Sequence, residues 1–280
     1  MTVSGRNLAP IRPAEAAKNM RPSRTVVSRC LLASLAALAI ASWVTTFVVF
    51  RGAKRFYAEI AATRLDPLGL RQVEIPAMQG RPTLVFYGDS RAAQWPVPKG
   101  FEGRTLNLGI SAQTTEQVLL RFNDHLGRLE PKIVVIQVGI NDLKAIPLFP
   151  RAEGRIVETC KRNIEKIADL CRERGAHVVV TTLFPLGKIP LARRLVWSDR
   201  VAPAMDEVNR HIRSLASADV TVFDAAGVLT GEEGNLVAAY SRDFLHLTDA
   251  GYARLNEKLR EQIEPLLKPS SQRERGEVRQ

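Results

Sequence analysis

The chain has 280 residues, 45% hydrophobic and 25% charged, a length and composition that suit one α/β body with a full core. Its formal charge of +11 would suit a nucleic-acid binder if it were spread over the body, but residues 1–29, 51–66 and 268–280 hold 14 of the 40 basic and five of the 29 acidic side chains. Residues 67–267 are left nearly neutral, and basic flanks beside an apolar segment suit a membrane surface rather than nucleic acid.

Residues 1–29 are rich in Pro, Arg and Ala and read as a basic, disordered N-terminus. Residues 30–50, "CLLASLAALAIASWVTTFVVF", carry no charge over 21 positions. At about 1.5 Å per residue they span a hydrocarbon core of about 30 Å. One reading is a transmembrane signal-anchor helix. The other is a cleaved signal peptide, with Leu31 to Ala41 as its apolar region and Ala39-Ile40-Ala41 as the small-x-small site, which would leave a secreted body. The apolar run continues through Trp43, Val44 and Phe47 to Phe50, which favours the anchor. Five basic residues in 10–29 against four in 51–70 are nearly balanced and favour a cytoplasmic N-terminus by one charge. The expectation is a single-pass protein of the cytoplasmic membrane with its body outside.

Residues 51–80 read as a stalk or lead-in, 81–267 as the body and 268–280 as a disordered tail. Cys30 lies in the apolar segment. Cys160 and Cys171 share one predicted helix, about 16 Å apart along its axis, too far to bridge. Both read as small buried hydrophobes.

Within the body, strand and helix signals alternate. Strands are predicted at Thr83–Tyr87, Thr105–Leu108, Lys132–Val138, His177–Leu183 and Val220–Asp224. Helices are predicted at Thr114–Leu129, Glu153–Arg174, Asp199–Ala216 and Asp249–Leu267. "KIVVIQV" and "HVVVTTLF" are nearly continuous apolar runs, as in parallel strands covered on both faces. The alternation predicts a three-layer α/β/α sandwich around a central five-stranded parallel sheet. Functional groups of such sheets collect beyond the C-terminal ends of the strands.

The first strand ends abruptly in Gly88-Asp89-Ser90-Arg91, which puts a hydroxyl on that rim. Asn141 follows the third strand in "QVGINDL". In "SRDFLHLTDAGYARLN", Asp243 and His246 stand three residues apart just before a helix. That spacing lets the carboxylate hold imidazole Nδ1–H and leaves Nε2 free to take a proton from a hydroxyl. Ser90 supplies a hydroxyl that needs such a base to become a nucleophile. An acyl-transfer site also needs donors for a developing oxyanion. Candidates on the rim are the backbone N–H groups of Ser90 and Gly109 and the side-chain amide of Asn141.

"YGDSRAAQW", "NLGISAQTT", "VGINDL" and "DFLHL" resemble, in order, the four blocks of the SGNH (GDSL-type) hydrolase family, over residues 83–267. The resemblance implies Ser90 as nucleophile, His246 as base and Asp243 as its orienting acid. It implies Gly109 and Asn141 as oxyanion donors beside the Ser90 amide, and a flavodoxin-like strand order. Two positions depart from the pattern. Arg91 stands where many relatives carry an apolar residue, and Ser111-Ala112 replaces a glycine-richer turn.

Arg91, Arg193, Arg194 and Trp197 are candidate substrate-binding residues, the last three in "PLARRLVW" beyond the fourth strand. The competing reading of that stretch is a solvated loop with one packed Trp. Trp95 faces the same choice. Asp89 and Asp142 read as structural acids, and His125, His177 and His211 as helix-surface or strand-edge residues. No metal-ligand spacing is present, so neither a metal nor another cofactor is expected. The function expected is a serine esterase acting on a small-molecule, glycan or lipid ester. The alternatives are an O-acyltransferase acting on an extracytoplasmic glycan and a catalytically silent binding domain.

Overall fold

The computed structural model describes residues 24–76, 80–102, 104–194, 196–231 and 234–267. The expectations for residues 1–23 and 268–280 lie outside them. Two compact units divide the chain, residues 1–61 and 62–280.

The described residues of the first unit all lie in one helix, α1, which runs Arg24–Leu65 and so extends 15 residues beyond the apolar segment into the expected stalk. Leu31, Leu32, Ile40, Trp43 and Phe50 are all more than 60% exposed on it. A helix bare on every face has no amphipathic solution in water. Its length and apolarity suffice to cross a membrane, as those of a signal sequence also would.

The second unit is built on five parallel strands, β1 (Leu84–Gly88), β2 (Thr105–Gly109), β3 (Ile133–Gln137), β4 (His177–Thr181) and β5 (Val220–Phe223), in the order β2-β1-β3-β4-β5. Each lies within a residue or two of its predicted place. Gly88 stands beside Gly109 on one side and Gln137 on the other, so β1, β2 and β3 end level.

Alternation along the buried strands separates two cores. Val85 and Tyr87 of β1, with Val134 and Ile136 of β3, face one layer; Leu84 and Phe86, with Ile133 and Val135, face the other. The first layer holds α3 (Thr115–Leu120), α4 (Phe122–His125), α6 (Glu153–Glu173) and α8 (Val201–Ser214), through Val118, Phe122, Ile164, Ile167 and Val208. The second holds α9 (Ala225–Leu229) and α10 (Asp249–Ile263), through Leu229, Leu255 and Leu259. Three further helices of four residues sit at strand ends: α2 (Ser90–Ala93), α5 (Ile140–Leu143) and α7 (Leu191–Arg194). Cys160 and Cys171 are buried, unpaired thiols on α6.

The helix predicted at Thr114–Leu129 is broken at Arg121, between α3 and α4. The Arg121 side chain turns inward and is fully buried. It donates to Gln113 Oε1 at 2.6 Å, to Gly88 O at 3.0 Å and to His125 Nδ1 at 2.8 Å, and lies 4.4 Å over the Tyr87 ring. His125 is therefore buried rather than on a helix surface, and burial beside the Arg121 charge holds its pKa down.

Candidate active site

Gly88 ends β1 at φ +151°, and a Cβ there would lie 1.9 Å from the Gln137 carbonyl oxygen. Only glycine fits so close to β3. Asp89 then caps α2, accepting from the Arg91 N–H at 2.9 Å. This structural acid is fully buried, and burial pushes its carboxyl up to about 6 against the pull of the Arg91 charge. Ser90 is the first residue of α2, where a backbone N–H has no partner within the helix.

Ser90 Oγ lies 3.1 Å from His246 Nε2, across 156 residues of sequence. His246 Nδ1 lies 2.9 Å from Asp243 Oδ2. A carboxylate only accepts, so the ring carries its proton on Nδ1 and offers Nε2 to the hydroxyl. Asp243 Oδ1 also accepts from the Leu245 N–H at 2.8 Å and the His246 N–H at 2.9 Å. Partial burial raises the Asp243 pKa, but these bonds and the imidazole outweigh it and hold the carboxyl below its usual range. The side chains of Ser90, His246 and Asp243 thus lie within hydrogen-bond reach of one another in series.

The expected oxyanion donors do not all fit. Asn141, on α5, donates from Nδ2 to the Gln113 carbonyl at 2.9 Å and keeps a second N–H. Gly109 is already spent: its N–H donates to Asn107 Oδ1 at 3.0 Å. Its missing Cβ makes room for the backbone of α2, since a Cβ would lie 2.2 Å from the Ala93 nitrogen. The close approach that requires glycine at 109 is therefore to the chain itself. Three residues on, Ala112 is exposed at φ +64°, and its N–H donates to no acceptor among the described residues. This left-handed turn carries a free donor next to Gln113, whose carbonyl holds Asn141. Alanine gives no sequence signal for that conformation.

Arg91, a candidate substrate-binding residue by sequence, is not open to a substrate. It is fully buried, donates from Nε to Leu245 O at 2.9 Å and from Nη1 to Phe184 O at 3.2 Å, and lies 5.1 Å over the Phe184 ring. Its side chain ties the residue after Ser90 to the residue before His246, a role the sequence did not reveal. Trp95 is likewise core, with Nε1 donating to Asn256 Oδ1 at 2.7 Å. Asp142 is buried and accepts from the Thr115 amide and hydroxyl at 2.9 and 2.6 Å. Burial raises its pKa to about 6.

Arg193 and Arg194 are exposed on α7. The Arg193 guanidinium lies 5.4 Å over the Phe244 ring, and Trp197 packs edge-on against that ring at 5.3 Å. Arg194 and Trp197 line a cavity of about 400 Å³ with Ile189 and Asp199. A larger cavity of about 760 Å³ opens beside Trp197, Leu186, Leu236 and Ser241, and its lining does not include Ser90 or His246. Among the described residues, no cluster of His, Cys, Asp and Glu could hold a metal ion.

A hydroxyl, an imidazole and a carboxylate in series at the C-terminal rim of a five-stranded α/β/α sandwich are groups that can carry acyl transfer. The profile of the GDSL-like Lipase/Acylhydrolase family matches residues 78–254, and the chain belongs to that family of SGNH/GDSL-type carboxylic ester hydrolases. It is 30% identical over 196 residues to the human platelet-activating factor acetylhydrolase IB subunit alpha2, covering 66% of this chain and 78% of that protein. Its fold is similar to a GDSL-like lipase from Bacteroides thetaiotaomicron, at 23% identity and a TM-score of 0.55, over 76% of this chain and 98% of that one. An acylhydrolase from Bacteroides fragilis has the same fold, at 21% identity and a TM-score of 0.53, over 71% of this chain and 94% of that one.

Proposed function

We propose that the protein hydrolyses carboxylic esters through an acyl-enzyme on Ser90, and that α1 holds it in the cytoplasmic membrane with the catalytic unit outside. The observation that carries the chemistry is the series Asp243–His246–Ser90, with its 2.9 and 3.1 Å contacts. Ser90 Oγ attacks the ester carbonyl carbon while His246 Nε2 takes the hydroxyl proton. The tetrahedral intermediate collapses, the carbon–oxygen bond to the alcohol breaks, and His246 returns the proton to the leaving oxygen. Water then attacks the acyl-enzyme, again with His246 as base, and frees Ser90.

The oxyanion is held by the Ser90 N–H, the free N–H of Asn141 Nδ2 and the Ala112 N–H, which takes the place expected of Gly109. The name of the human relative, a platelet-activating factor acetylhydrolase subunit, supports a short acyl group such as acetyl.

Labelling with a fluorophosphonate tests this reading. The expected result is one covalent adduct, found on the peptide that contains Ser90 and lost in His246→Ala. A folded protein that takes no label, or takes it on another residue, would overturn the assignment.

A further inference from the structure

The cavity of about 760 Å³ beside Trp197 takes no part in the mechanism above, yet three of its lining residues touch the loop that carries Asp243 and His246. Ser241 Oγ donates to the Asp243 carbonyl at 2.9 Å, and the Gly187 N–H donates to the Phe244 carbonyl at 3.0 Å. The Trp197 ring packs edge-on against Phe244, with 5.3 Å between the ring centroids. Gly187 and Trp197 lie in the connection that leaves the C-terminal end of β4, on the rim that carries Ser90. The neighbouring cavity of about 400 Å³ shares Ile189, Trp197 and Asp199 with it, so the two form one groove with Trp197 in its wall throughout. The larger cavity alone falls within the about 300–1,000 Å³ of small-molecule sites.

The lining mixes two chemistries. Trp197, Leu186 and Leu236 are apolar, whereas Lys188 and Asp199 are charged, with opposite signs. Neither the Lys188 ammonium nor the Asp199 carboxylate has a partner among the described residues. An alkyl chain in the groove would take both charges out of water without pairing them, which is costly. An anionic group would meet the Asp199 carboxylate. A sugar incurs neither cost: its C–H face packs on the indole, and its hydroxyls donate to Asp199 and accept from Lys188.

His246 Nε2 hands its proton to the leaving oxygen, so the alcohol half of the ester lies on the His246 side of Ser90. The groove flanks the same loop. We infer that it is the subsite for the alcohol moiety of the substrate, and that this moiety is an uncharged sugar. This rests on the esterase reading of Ser90 and narrows it to sugar esters. The lining contains neither Ser90, His246 nor an oxyanion donor, so the groove holds a part of the sugar remote from the reacting bond.

The test compares acetates that share an acyl group and differ in the alcohol: the 6-O-acetyl ester of methyl glucoside, cyclohexylmethyl acetate, which has a ring of the same size without hydroxyls, and hexyl acetate. Each is given to the full-length protein in neutral detergent. The readout is the ratio of kcat/KM for the sugar ester to that for each of the other two. The wild type is expected to prefer the sugar ester. Both ratios are expected to fall by about tenfold in Asp199→Ala, which loses a hydrogen bond to a charged group. They are expected to fall several-fold in Trp197→Leu, which keeps an apolar side chain against Phe244 but loses the aromatic face. If Trp197→Leu does not fold, Asp199→Ala carries the test alone, since Asp199 is exposed and unpaired. A wild-type ratio at or below one, with hexyl acetate preferred if the groove takes a lipid chain, overturns the sugar subsite and leaves the esterase intact. Ratios unmoved by Asp199→Ala do the same. So does failure on all three acetates by a protein that still cleaves p-nitrophenyl acetate. Failure on p-nitrophenyl acetate as well would instead remove the esterase reading.

Discussion

At the scale of single residues, Arg91 shows how a buried charge can serve a site it never enters. Its guanidinium supplies the hydrogen bonds of Leu245 O and Phe184 O, and Leu245 precedes the base. Replacing it with methionine keeps much of the volume but strands both carbonyls, at about 1–3 kcal/mol each. Arg91→Met is expected to lower the melting temperature and to cut kcat more than it changes KM for a small ester, in thermal melts and initial-rate kinetics. Asn141→Ala removes an oxyanion donor and is expected to cost about 10²–10³ in kcat. Asp243→Asn is expected to cost on the order of 10⁴, through the wrong tautomer of His246.

Asp89 links the same elbow to pH. Its folded pKa of about 6 lies above the ordinary 3.8, so the folded state binds its proton more tightly than the unfolded chain does. That contribution is fully present below about pH 4 and is lost as pH rises through about 6. Asp89→Asn has no such loss. The melting temperature of the variant relative to wild type is therefore expected to rise between those two pH values and to level off above them.

At the scale of elements, the strands were legible because each is a short apolar run, and their burial on both faces follows from two layers of helices. The positions of Ser90, Asn141 and the Asp243–His246 pair at strand and helix ends were legible for the same reason. The break at Arg121 was not. Its i, i+3, i+4 pattern is unbroken, and the break goes with three hydrogen bonds that turn Arg121 inward, one across the fold to Gly88 and two to the nearby Gln113 and His125. The Ala112 turn was hidden because its conformation belongs to glycine. Gly109 misled because its glycine is required by α2, not by a ligand. Gly88 gives the sharpest test at this scale. Gly88→Ala would place a methyl 1.9 Å from Gln137 O, and is expected to lose several kcal/mol and most soluble yield. A variant that melts within a degree or two of wild type would contradict this packing of β1 on β3.

At the scale of the whole molecule, the charge pattern and α1 point the same way. The excess of basic residues lies in the flanks, and the exposed surface of α1 carries no charge over residues 30–50. Exposed to water, that surface would be costly at about 25 cal/mol per Å². The protein is expected to stay with membranes through an alkaline wash and to keep its N-terminus. A soluble mature chain that begins after Ala41 would show a cleaved signal instead. The long apolar segment was legible from composition alone, whereas the substrate was not, because it depends on which unpaired groups the folded rim brings together.

The most direct measurement of the central claim is hydrolysis of p-nitrophenyl esters, acetate through decanoate, by the full-length protein in detergent beside Ser90→Ala and His246→Ala. The expected result is turnover by wild type, fastest on the shorter esters, and a fall of about 10⁵–10⁶ to background in both folded variants. A folded wild type no faster than Ser90→Ala would contradict the account, since the hydroxyl at the end of β1 would then not be a nucleophile.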